Sequence, residues 1–341
     1  MGALSKVGWM IVNIVASRNR VSGEIRTGIR LRIENPPPGV SYRIIEDPIR
    51  LSPPSDDFYI TGNTTFKWFL KVLIEPAYSL RFRGLTHAFF LNLYIPSSPW
   101  VQEIDQPIFN LFEKYLKKSR KDTLYRLAIR TYRYLFNRDN VTIITWTEWS
   151  KEGLEEEGFR GVKVIPPPMR TCSRKIDNVI TVGFIGVDYD RKGGDIAENV
   201  MMKLPRWVRK VYIGKSPRKV NGIIYYNPMR RDDLLKLMAE FDVLLFPTRG
   251  EAFGFTALEA MSLGIPVVAS NVDSVPEVVG DGGIICEVND LRCFLESTKE
   301  LVNSPEYAME LGARAKAIVT QRNSPGVVGK ELLAVYRELV E

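Results

Sequence analysis

Along the chain, short apolar runs alternate with stretches whose apolar residues recur every three or four positions, the pattern of parallel strands covered by helices. In the first half, Trp9–Ala16, Tyr42–Glu46, Leu85–Leu93, Pro99–Ile104, Val141–Trp146 and Val162–Ile165 read as strands. Pro166-Pro167-Pro168 then breaks the pattern. Three consecutive prolines can continue neither a helix nor a central strand, so they mark a linker. The alternation restarts with strands Val179–Ile185, Lys210–Ile213, Ile223–Tyr226, Val243–Phe246 and Pro266–Ala269, and with helices Asp232–Glu240 and Thr256–Leu263 among them. Helices near Asp290–Asn303, Pro305–Arg322 and Val327–Leu339 follow. The expected architecture is α/β: two Rossmann-like, doubly wound domains at 1–168 and 169–325, with a terminal helix, 326–341, packing back on the first.

Length and composition agree with two domains. The chain has 341 residues, 45% hydrophobic and 26% charged, which is enough apolar material for two cores. No apolar run approaches the ~20 residues that cross a bilayer, so a cytoplasmic protein is expected. The three cysteines, Cys172, Cys286 and Cys293, lack metal-ligand or CxxC spacing and read as small core residues.

Charge adds one asymmetry. Residues 1–168 hold 24 Lys+Arg and 17 Asp+Glu, whereas residues 169–341 hold 23 of each, so the whole +7 excess lies in the first half. The stretch Phe66–Leu73 is aromatic, apolar and basic, and residues 111–138 hold nine Lys+Arg against two Asp+Glu. Such segments suit an anionic membrane surface, peripheral on its inner face, or an acidic acceptor, and equally a solvated surface. Nucleic acid is not an expected partner, because no recognition signature with interleaved base-stacking aromatics is present.

Two segments carry candidate chemistry. In Val182-Gly183-Phe184-Ile185-Gly186-Val187-Asp188-Tyr189-Asp190-Arg191-Lys192-Gly193-Gly194, a strand ends in a glycine loop and two adjacent cations precede a helix. Glycines such as Gly186 permit close approach, helix-opening N–H groups attract phosphate, and Arg191 with Lys192 can neutralise a diphosphate. Asp188 and Asp190 could instead hold a divalent metal, but the cations already serve that end, so no metal and no other cofactor is expected.

In the second segment, Pro247 to Pro266, a loop bears Glu251 and Gly254, and a helix follows until Gly264 stops it. Glu251 and Glu259 are about 12 Å apart on a continuous helix, too far for the carboxylate pair of a retaining glycosidase. They suit two hydroxyl-bearing parts of one ligand. For Glu259 a second reading has equal weight: Thr256-x-x-Glu259 has the form of a capping box, with Thr256 as helix cap.

The order Phe184-Ile185-Gly186, Arg191-Lys192-Gly193, Phe246-Pro247, Glu251-x7-Glu259-Ala260-Met261, Gly264-x-Pro266-Val267-Val268-Ala269-Ser270 and Pro276-Glu277-Val278-Val279 resembles glycosyltransferase family four, the large retaining family of GT-B fold, in which two Rossmann-like domains face a central cleft. The likeness is strong over about 179–285 and in outline elsewhere. It implies a nucleotide-sugar donor, with Arg191 and Lys192 on the diphosphate, Glu251 on the transferred sugar and Glu259 on the ribose. It also places Gly254, Phe255 and Thr256 against sugar and phosphate, and brings the loop Ser22-Gly23-Glu24 to the donor from the opposite domain, so that Gly23 is a donor-binding candidate. Arg191, Lys192 and Glu251 are thus the expected catalytic residues for moving a hexose-like sugar to a hydroxyl of a glycan, lipid or small molecule. An epimerase of the same fold is the alternative.

Two departures stand out. Asp273-Ser274-Val275 replaces the usual Gly-Gly before Pro-Glu, and no histidine follows the strand ending near Glu103. His87, the sole histidine, and Glu103 are the acceptor-side candidates.

Overall fold

The computed structural model describes residues 9–18, 23–47, 74–174 and 179–341. It divides into two compact units, Met1–Pro168 with Pro325–Glu341, and Met169–Ser324. The stretch Phe66–Leu73 lies outside the described residues.

The first unit is built on a six-stranded sheet of order β2-β1-β3-β4-β5-β6. Its strands are Met10–Ala16, Val40–Glu46, Thr86–Phe89, Trp100–Glu103, Val141–Thr145 and Lys163–Val164, numbered β1 to β6. All neighbours pair in parallel. Central strands covered by helices on both faces lose contact with water; accordingly β3 and β4 are buried at every position. The expected strand Leu85–Leu93 ends early, because Phe90 turns the chain with φ 61°. The terminal helix Pro325–Val340 places Val328, Leu332, Val335 and Tyr336 on one face, at spacings of four, three and one. These side chains join Val12, Val40, Leu85, Val101 and Ile144 in one core.

The second unit repeats the plan with strand order β12-β11-β10-β7-β8-β9. Here β7 is Thr181–Gly186, β8 Arg209–Gly214, β9 Ile224–Tyr226, β10 Val243–Phe246, β11 Val267–Ser270 and β12 Gly283–Cys286. The chain moves outward from β7 through β8 to β9, then returns to the other side of β7 with β10. The sheet's switch point therefore lies between β7 and β10, where the following loops diverge and ligands of such sheets bind. Those loops are the two segments singled out by sequence.

The reading of the cysteines as small core residues holds for Cys286, which is buried in the second unit's core, but not for Cys172, and it missed a disulfide. Cys286 ends β12 and Cys293 lies in the first turn of the helix Leu291–Asn303, which brings their Cα atoms to 5.7 Å, and the two are disulfide-bonded. Cys172 is free and exposed. A spacing of seven residues becomes a bonding distance because the chain leaves the edge strand and turns straight into the helix.

Candidate active site

Beyond β7, Asp188 accepts the Arg191 N–H at 3.2 Å and so caps the short helix Tyr189–Lys192. Gly193 follows with φ 71°, and a Cβ there would lie 2.0 Å from the Pro247 carbonyl oxygen. Only glycine lets this turn lie against the loop after β10. Several hydrogen bonds then fasten the two loops: Arg249 N–H donates to Arg191 O at 2.7 Å, and Arg191 Nη1 donates to Gly250 O at 3.0 Å. The Arg249 side chain ties in Asp195 at 2.8 Å and Asn289 at 2.7 Å.

The outcome is an ion pair between Lys192 Nζ and the Glu251 carboxylate, both side chains largely shielded, at 16% and 13% exposure. Burial alone would push the Glu251 carboxyl up, but the charges of Lys192 and Arg191 outweigh it and hold its pKa below the ordinary carboxylate range. Burial lowers the Lys192 ammonium in turn. Asp273 adopts φ 50°, a conformation more usual for glycine, and its carboxylate accepts the Glu251 N–H at 2.9 Å. The departure from Gly-Gly thus supplies an anchor for Glu251. Sequence reading missed this, and the only signal was the aspartate itself, a residue that tolerates positive φ.

The capping box is not formed. Gly254, with φ 96°, is the N-cap of the helix Phe255–Ser262, and Thr256 sits within the first turn. Glu259, 5% exposed, pairs instead with Arg231 Nη2 at 2.6 Å. Arg231 opens the helix that follows β9, and its Nε has no hydrogen-bond partner although buried. The sequence sets Tyr225–Arg231 at the border of the base pocket, but the pairing of Arg231 with Glu259, 28 positions later, was not foreseen.

The second unit thus gathers Gly186, Arg191, Lys192, Glu251, Gly254, Phe255, Thr256 and Glu259 at its switch point. The remaining candidates belong to the first unit. Gly23 is exposed with φ 71°, and its carbonyl accepts from Arg18 at 3.2 Å. His87 and Glu103 do meet, Nε2 to Oε2 at 2.7 Å, but at 0% and 1% exposure. Glu103 also receives Arg32 Nη2 at 3.1 Å and the Trp146 indole N–H, while Arg32 donates to Ile165 O at 2.7 Å and Pro166 O at 3.0 Å. His87 Nδ1 lies 2.6 Å from the Tyr336 hydroxyl, which is 3.0 Å from that of Tyr42. A neutral His87 protonated on Nε2 satisfies this whole chain. Burial lowers its pKa, as that assignment requires. Neither residue presents a polar atom to an acceptor in this arrangement.

Asp188 is engaged by Arg191, at 3.1 Å between side chains, and among the described residues no three His, Cys, Asp or Glu side chains cluster so as to hold a metal.

The profile of the family described as glycosyl transferases group 1 matches residues 179–304. This segment is similar to the group 1 glycosyl transferases. The family four likeness accords with that match. Among curated relatives, the N-acetyl-alpha-D-glucosaminyl L-malate synthase of Bacillus anthracis is 28% identical over 113 residues, 33% of this chain and 30% of that protein. The O-antigen chain mannosyltransferase B of Escherichia coli is 46% identical over 69 residues, 20% of this chain and 18% of that protein. The matches span about a third of the first relatives' length. Solved structures extend the likeness, in fold alone, to nearly the whole chain. Sucrose-phosphate synthase from Thermosynechococcus elongatus superposes with TM-score 0.72 at 12% identity, covering 97% of this chain and 99% of that one. Anabaena Alr3699/HepE, solved with UDP-glucose, gives TM-score 0.69 at 15% identity, covering 96% and 99%. The fold is GT-B.

Proposed function

We propose that the chain transfers a hexose-like sugar from a nucleoside diphosphate to an acceptor hydroxyl of a glycan or lipid, with retention at the anomeric carbon. The observation that carries this reading is the convergence of Arg191, Lys192, Glu251 and Glu259 at the β7/β10 switch point. Two cations beside glycine turns suit a diphosphate, and two carboxylates placed apart suit the hydroxyls of sugar and ribose.

In this reading the donor diphosphate takes over the cations. Lys192, now paired with Glu251, turns to phosphate, and Arg191 adds its fork. Negative charge grows on the diphosphate as the glycosidic bond breaks, so both cations and the opening N–H groups of the helix Phe255–Ser262 stabilise the transition state more than the ground state. Glu251, relieved of Lys192, accepts hydroxyls of the departing sugar. No side chain is assigned as nucleophile. The acceptor hydroxyl attacks from the face the diphosphate leaves, and its proton passes to the leaving phosphate oxygen.

Thermal shift with UDP, GDP and ADP, followed by a donor-hydrolysis screen over their common sugars, tests the proposal. At least one nucleoside diphosphate should raise the midpoint and one donor should turn over. Stabilisation by none of them ends the reading, and conversion of a donor to its epimer without acceptor replaces it with the epimerase.

A further inference from the structure

The helix Thr123–Phe136 bears a concentration of positive charge that sugar transfer does not use. Arg126, Arg130 and Arg133 stand at spacings of four and three, hence along one face. With Arg160, Tyr125 and Asn137 they line a pocket of about 680 Å³. The pocket is braced at one end: Asn137 Nδ2 donates to Gly158 O at 2.9 Å, and Arg160 N–H donates to Asn137 Oδ1 at 3.2 Å. That pair of bonds brings Arg160 against the end of the helix.

No carboxylate lines the pocket. None of the four guanidinium groups makes an ion pair among the described residues, whereas arginines elsewhere commonly do, as Arg18 with Glu46, Arg174 with Asp242 and Arg209 with Glu240. Like charges around one hollow repel, and a multivalent anion relieves that repulsion while filling the planar donor forks.

The location separates this pocket from the substrate end of its sheet. The helix runs into β5 at Val141, and Arg160 precedes β6 at Lys163, so the pocket's braced end lies at the amino ends of β5 and β6. Substrates of doubly wound sheets sit at the carboxyl ends. We propose that this pocket is a second anion site, binding a phosphate-bearing group of the kind carried by anionic lipid headgroups and soluble diphosphates alike. On a lipid surface, the exposed Leu124, Leu127 and Tyr134 of the same helix would enter the interface.

Calorimetric titration of the full chain with inorganic pyrophosphate at low salt tests the site, with Arg130→Gln/Arg133→Gln set against Arg191→Gln/Lys192→Gln. Sedimentation with vesicles of phosphatidylglycerol and phosphatidylcholine, and of phosphatidylcholine alone, identifies the source. Pyrophosphate binding weakened at least ~10-fold by the first pair and surviving the second upholds the pocket. Sedimentation with the anionic vesicles alone, abolished by the first pair, upholds it with a lipid headgroup as occupant. Pyrophosphate binding without sedimentation points to a soluble phosphate. The proposal fails if neither probe binds, or if Arg130→Gln/Arg133→Gln changes neither response. Because the two variant pairs lie in different units, failure here leaves the sugar-transfer reading standing, and the converse also holds.

Discussion

Two clusters in this molecule are both built around cation–carboxylate pairs and differ in how far they are sealed. In the first unit Arg32, Glu103 and His87 are fully buried, and their hydrogen-bonding groups are met by Trp146, Tyr336 and the carbonyls of Ile165 and Pro166. In the second unit Lys192 pairs with Glu251 and Arg231 with Glu259, each pair partly reachable by solvent and each on a loop or helix beginning at the sheet's carboxyl edge. A charge sealed among fixed partners holds structure. A charge whose partner can be exchanged is available to a ligand. Arg–Glu pairing alone therefore says little about function, and the decisive facts are burial and whether the partner is replaceable.

The sharpest way to break the comparison is to neutralise one carboxylate in each cluster. Glu103→Gln leaves Arg32 buried and uncompensated, so unfolding stability should drop by about 3–5 kcal/mol, read by denaturant titration. If the loss stays near the small values of surface pairs, the sealed description is wrong. Acid should act on the same carboxylate. Burial pushes Glu103 up, but Arg32 and His87 overcome it and hold its pKa at about 2, below the ordinary 4.5. A depressed folded pKa contributes stability that is complete above 4.5 and lost as pH falls toward 2. About 3 kcal/mol should disappear across that window in the wild type, and that limb should flatten in Glu103→Gln.

Glu251→Gln is expected to leave stability nearly intact while lowering kcat about 100-fold, roughly 3 kcal/mol of transition-state stabilisation. Steady-state kinetics with the donor found by the screen decides this, and a normal kcat removes Glu251 from the sugar. Glu259→Gln should chiefly weaken nucleotide affinity, by about 10-fold or ~1.4 kcal/mol, with kcat little changed. Titration of the free nucleoside diphosphate reads it, and unchanged affinity returns Glu259 to a purely structural partner of Arg231. The smallest effect expected is that of a chelator: Asp188 is engaged as a cap and by Arg191, so turnover should continue in its presence. Activity that vanishes and returns with magnesium or manganese would make the aspartates ligands.

Much of the fold was legible because parallel sheets write themselves as short apolar runs, and β10 lies where Val243–Phe246 was expected. The glycine loops were legible for a related reason, since residues that permit positive φ or close approach stand out locally. What escaped depends on contacts distant in sequence or on environment. Arg32 carried no local signal, because the groups that enclose it, Glu103, Ile165 and Pro166, lie far along the chain. The Arg231–Glu259 pair joins two elements separated by β10, and β12, only half-buried, gave no run strong enough to bring Cys286 to Cys293. Thr256 gave a false cap signal, because Gly254 took that position with a backbone angle threonine avoids.

The terminal helix sets an order on synthesis. Its Val328, Leu332, Val335 and Tyr336 complete the core of the first unit, yet they leave the ribosome after the whole of Met169–Ser324. At common elongation rates the interval is on the order of ten to thirty seconds. Throughout it the nascent first unit lacks one wall of its core and His87 lacks its Tyr336 partner, whereas by its end the second unit has all its strands. Of the two units, the one begun earlier is completed later, which leaves β1 to β6 open to chaperones and proteases for longer than β7 to β12 in each round of translation.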